Sequence, residues 1–288
     1  MRLINKSDLN RGGRLTLNRQ LLAFFATVSL LVITTGCAVR GVPETIQSTN
    51  KPIDDWTNVL KNHVNAIGQV DFKGVQSNPE ALHGYVRYVA QTDPQRVFSS
   101  ADERLAHHIN AYNAMAMFAV LENDIHHTNA GLTKVKFFFL QRYRIANSKK
   151  SLYKYEKEIR ALGDPRIHFA LNCMSISCPI LPQVPFAASS LNKVLDREAK
   201  QFFATPSNLK VVAGEKKIYV SEILKFYKGE FITHTGSLIA YINQYIDEDI
   251  PEHYDVEFVP YDWTINKSPY GYKWASTNAF KQSLDSAP

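Results

Sequence analysis

A chain of 288 residues with 45% hydrophobic and 21% charged residues has the composition of a folded protein, which excludes a disordered or low-complexity one. Its formal charge of +6 overstates its basicity: residues 1–36 hold Arg2, Lys6, Arg11, Arg14 and Arg19 against Asp8, a net of +4, leaving +2 for the rest. So balanced a remainder gives no electrostatic reason to expect nucleic acid as a partner.

The chain opens like an export signal. Arg11, Arg14 and Arg19 precede an uncharged, mostly apolar run from Leu21 to Thr35, followed by Thr34-Thr35-Gly36-Cys37-Ala38. Small residues before a cysteine resemble the bacterial lipobox, which predicts lipidation of Cys37 and cleavage of residues 1–36. The alternative is an uncleaved signal/anchor helix, although the run is short against the roughly 20 residues of a membrane span. Either way the expected partner is a bacterial membrane; the lipid-anchored form is expected at the outer membrane rather than the inner, facing the periplasm. Residues 37–53, polar and with Pro43 and Pro52, read as a tether.

Helical periodicity begins at Asp54, with Trp56, Val59, Leu60, His63, Val64 and Ile67 on one stripe, and stops at Gly68. Pro79 opens a second helix and Asp93-Pro94 closes it. Ser99 or Ser100 caps a third, from Ala101 to about Glu122. The aromatic stretches Val135–Phe139 and Arg142–Ile145 read as strands. Ser151 starts a helix to Arg160, and another runs from Leu191 to about Ala204. Leu209–Val212 and Lys217–Val220 form a hairpin, two short helices follow Ser221 and Ser237, and Val256–Val259 is a last strand. The expected fold is a helix-rich α+β single domain, residues 54–266, with a small, mostly antiparallel sheet and a C-terminal tail at 267–288.

Two segments carry candidate chemistry. On the third helix Glu103, His107, Asn110 and Ala114 share a face that Asn113 flanks. Two amides among alanines and methionines point either to polar residues that bond other segments or to a ligand-facing site. The second segment is Asp164-Pro-Arg-Ile-His-Phe-Ala-Leu-Asn-Cys-Met-Ser-Ile-Ser-Cys-Pro-Ile-Leu181. His168 and Cys173, five apart, fall on opposite faces of a strand and roughly 140° apart on a helix, so they form no local dyad. His168 and Asn172 do share a face. Cys173 as a nucleophile would need a distant partner such as His63 or His234. Export and the even count left by a lipidated Cys37 favour a Cys173–Cys178 disulfide. A metal site of His168, Cys173 and Cys178 lacks a fourth ligand, and no metal or other cofactor is expected. Asp262 and Trp263, just after the last strand, read as a pin for the C-terminal end. No phosphate-binding glycine loop, dinucleotide fingerprint or Gly-x-Ser-x-Gly elbow is present.

Three motifs together resemble the family called domain of unknown function 547. They are Glu103-x-Leu-Ala-x-x-Ile-Asn-Ala-Tyr-Asn-Ala114, the 164–179 segment, and Tyr261-Asp-Trp-x-x-Asn266, with Trp56, Leu60, His63, Val64, Gly68, Val70 and Asp71 near the start. The resemblance spans roughly residues 54–266. It implies a bacterial exported protein with no assigned reaction. Glu103, Asn110, Asn113, Arg166 and His168 are the polar positions it carries over, whereas His107 and His108 stand where the family usually has Phe-Trp.

Two functions follow as expectations. One is a binding or scaffold module with a buried polar core and an envelope protein or glycan as partner. The other is a hydrolase or transferase on envelope peptide, ester or glycan bonds. In it His168 is general base or acid, Glu103 and Asn110 support it, and Asn113, Arg166 and Asn172 bind substrate.

Overall fold

The longest helix among the described residues, α5 (Ala101–Glu122), starts at a capping box. Ser100 accepts from the Glu103 N–H and the Glu103 carboxylate accepts from the Ser100 N–H, so two orphan donors of the first turn are satisfied reciprocally. From Leu105 to Val120 every residue is buried, the two amides and the two histidines included. The helix is therefore a central strut, not an amphipathic surface helix. The computed structural model describes residues 39–42 and 50–268. Cys37, the signal segment and the tail beyond Ser268 lie outside them.

Against α5 pack α3 (Glu80–Gln91), α4 (Pro94–Val97) and α7 (Leu152–Arg160), while α1 (Pro52–His63) packs on α3 and α2 (Phe72–Ser77) on α1. Ser151 caps α7 by accepting from the Lys154 N–H. The turn after α1 needs Gly68: its φ is +75°, and a Cβ there would sit 2.8 Å from the Leu181 backbone nitrogen. Later come α8 (Leu191–Ala204), α9 (Ile223–Phe226), α10 (Lys228–Thr235) and α11 (Leu238–Asn243).

The helix-rich α+β expectation holds, and among the described residues the strands form two three-stranded sheets. In the first, β1 (Val39–Arg40) runs parallel to β2 (Arg142–Ile145), which pairs antiparallel with β3 (Ser148–Lys150). In the second, the hairpin β4 (Leu209–Val212) and β5 (Lys217–Ser221) is joined on the β5 side by a parallel β6 (Asp255–Val259). Each sheet is mixed, with one parallel and one antiparallel pairing.

The expected strand at Val135–Phe139 is helical. A short α6 (Gly131–Val135) passes into a π-helical turn, Lys136–Leu140. Its aromatic run favours strand by propensity, but packing decides: Phe137 and Phe138 are buried, Phe138 meets Trp263 edge-on, and Phe139 lies against Tyr153.

Among the described residues the buried side chains form two clusters. One gathers α1, α3, α5 and α7; the other gathers the end of α8, β5, α10 and α11. The turn Pro165–Phe169 straddles them, giving Ile167 to the first and Phe169 to the second. The cysteine loop follows directly. The C-terminal segment 261–268 then threads past three other loops, with bridges Thr128–Thr264, Ser175–Ile265 and Val70–Lys267. Ile176 donates to the Thr264 carbonyl, Ser177 to that of Asp262, and Asn129 to that of Trp263. The C-terminal motif is thus pinned mainly by its backbone.

Candidate functional site

Asn113 is 1% exposed and fully used: its amide donates to the Ala170 carbonyl at 3.0 Å and its oxygen accepts from the Asn172 N–H at 2.8 Å. Asn110 makes the same two-point clamp on Phe186, to its carbonyl at 2.8 Å and from its N–H at 2.9 Å. Asn172 donates to the Pro179 carbonyl and accepts from the Met174 N–H, which closes the cysteine loop. Three amides therefore satisfy the backbone of two irregular segments that α5 cannot reach by secondary structure.

The residues expected to share one site lie in separate places. The Glu103 carboxylate is engaged by Ser99 and Ser100 at the helix start, and those hydrogen bonds hold it below the usual carboxylate range. Glu103 and Asn110 line an apolar hollow with Tyr85, Tyr88 and Phe98, while His168 lines a different cavity. Asn172 does not orient His168. The His168 Nε2 lies 2.8 Å from Glu230 on α10, its ring stacks on Tyr227 at 3.8 Å between centroids, and Arg160 also binds Glu230. Burial raises the Glu230 carboxyl, but the His168 and Arg160 hydrogen bonds outweigh it and hold the group at about 2. Arg166 belongs to a separate cluster with Asp164, Asp196 and Asn192.

The cavity beside His168 carries the reactive groups. It is lined by Tyr112, Glu156, Cys173, Cys178, Tyr227 and Tyr261 among others, at the junction of the two hydrophobic clusters. Both cysteines are free thiols with their sulfurs 2.8 Å apart. The loop folds its backbone onto one of them: the Cys173 and Ser175 N–H groups point at Cys178 Sγ, at 3.1 and 3.4 Å. Met174 between them has φ +67°, a left-handed conformation that a buried methionine adopts only under constraint. The Tyr261 hydroxyl stands over the pair, 3.0 Å from Cys178 Sγ and 3.4 Å from Cys173 Sγ. Asn129, fully buried, holds the loop from the other side through the Cys173 carbonyl.

The electrostatics follow from this packing. The hydrogen bond across the pair opposes burial and, with help from Tyr261 and Ser175, brings the Cys173 thiol down to about 7. Burial and the adjoining sulfur push Cys178 up, so the pair gives up one proton readily and keeps the other. On the far wall Glu156 accepts from Tyr112 at 3.0 Å and from Tyr227 at 2.6 Å. The distant histidines named for Cys173 are elsewhere. His63 sits beside Asp71 and Gly74, and His234 lines a surface hollow with Arg166. Among the described residues no group of three His, Cys, Asp or Glu is placed to hold a metal.

Sequence reasoning missed Tyr261, Glu156, Glu230 and Asn129. Each reaches its partner across 44 to 88 residues, and only the motif around Tyr261 stood out beforehand. Searches of curated proteins and of solved structures found no match. Residues 97–203, which hold α5, the Pro165–Phe169 turn and the cysteine loop, match the model of the family described as "Protein of unknown function, DUF547".

Proposed function

We propose that this chain is an exported envelope protein, tethered to the outer membrane through a lipid on Cys37, whose folded part is a binding module for an envelope protein or glycan. The observation that carries the module reading is the pairing of the nominated polar side chains. Asn110, Asn113 and Asn172 each spend both ends of their amide on backbone groups, and Glu103 is spent on its own helix start. A general base needs its supporting groups within hydrogen-bond reach, and Glu103 and Asn110 line another hollow than His168. The tether reading rests on the positive segment, the apolar run and the small residues before Cys37.

Expression of the full chain in a bacterial host tests both parts. Wild type should fractionate with the outer membrane and carry a lipid mass, and Cys37→Ser should lose both. The purified chain should bind isolated envelope saturably and release no ester, peptide or glycan product. Equal mass and membrane association for wild type and Cys37→Ser would reject the tether. A turnover abolished by His168→Gln would replace the module with the hydrolase or transferase.

A further inference from the structure

The geometry points to a second, chemical function at the cysteine pair: reduction of hydroperoxides, with Cys173 as the attacking sulfur and Cys178 as the resolving one. It rests on the cavity and the loop, not on where the chain resides or what it binds.

Three observations converge. The sulfurs lie 2.8 Å apart inside a loop whose amides hold Cys178, so a bond between them would join two atoms already in contact. Both cysteines line the cavity and are 8% exposed, so a reagent reaches them only through it. That cavity holds about 60 Å³. This is room for a few water-sized molecules and well below the roughly 300 Å³ at which drug-sized ligand sites begin. Hydrogen peroxide, with two heavy atoms, fits that volume. Lys134 adds a cation beside two of the lining rings, its ammonium 3.6 Å from the centre of Trp263 and 5.6 Å from that of Phe226.

The steps balance. The Cys173 thiolate attacks one peroxide oxygen; an S–O bond forms, the O–O bond breaks, and the departing alkoxide or hydroxide takes up the proton that the thiol released. Cys173 is then a sulfenic acid. The Cys178 sulfur attacks it, forming the Cys173–Cys178 bond, and the hydroxyl leaves with the Cys178 proton as water. Two electrons pass from the dithiol to the peroxide, and an external dithiol reductant restores the pair.

The test uses the full chain, reduced, with hydrogen peroxide and oxidised glutathione as alternative oxidants, read by mass on the peptide carrying Cys173 and Cys178. Peroxide should remove two hydrogens from that peptide at least about tenfold faster in the folded chain than in denaturant, where both thiols return to ordinary acidity. Oxidised glutathione should be slower than peroxide. Cys178→Ser should accumulate a sulfenic acid at Cys173 that a 1,3-dicarbonyl reagent captures, and Cys173→Ser should not. If either variant fails to fold, the wild-type comparison still decides. Oxidation no faster folded than unfolded, or faster with glutathione disulfide than with peroxide, overturns the inference, whatever the fractionation of the chain.

Discussion

Tyr261 sets its hydroxyl 3.0 Å from the sulfur of Cys178, a residue 83 positions earlier in the chain. The contact exists because the segment after β6 is laced to the cysteine loop through Asp262, Thr264 and Asn266. The same hydroxyl reaches Cys173 at 3.4 Å, so one phenol addresses both sulfurs.

Tyr261→Phe removes a donor from a pair whose first ionisation depends on donors. The pH midpoint for alkylation of Cys173 should rise by about half a unit to one unit. Rates of iodoacetamide labelling between pH 5 and 10, read by mass, check it. An unchanged or lower midpoint would mean that the phenol packs against the sulfurs without stabilising the thiolate.

Asn113→Ala leaves the Ala170 carbonyl and the Asn172 N–H buried without partners, in the segment that leads into the cysteine loop. The loss should be about 2–4 kcal/mol, since two buried groups forfeit their hydrogen bonds. Urea unfolding of wild type and variant measures it. A loss under about 0.5 kcal/mol would sink the account of α5 as a polar clamp.

Burial lowers His107 to about 4, with the His108 charge adding to it, and lowers His108 to about 4, with Lys150 adding. Burial also lowers His63 and His83. A histidine with its folded value below its unfolded one takes a proton more readily when unfolded. Stability is therefore full above about pH 6.5 and falls as pH drops toward 4, by up to ~1.4 kcal/mol per pH unit for each of His107 and His108. Replacing both at once, His107→Phe with His108→Trp, should flatten that slope. Unfolding free energies at pH 7 and pH 5 decide the matter, and an equally steep double variant would place the acid sensitivity elsewhere.

Local signals were legible in the sequence. Ser100 with Glu103 three residues on is a capping box, Ser151 caps α7, and the β4–β5 hairpin follows from two short apolar runs with a turn between them. Such features depend on groups within a few residues of one another, so the chain states them directly. The bond of Glu103 to its own helix start was readable from that same spacing.

What the sequence determined by itself is the helical frame, the helix-rich α+β class, and which segments carry amides, a histidine and two cysteines. Only the tertiary structure decided what those side chains do. His168 meets Glu230 across 62 residues, Cys178 meets Tyr261 across 83, and the Phe137–Phe138 run turns helical because its rings find a pocket. Long-range partners are chosen by how the two hydrophobic clusters close on each other, and periodicity along the chain carries no record of that choice.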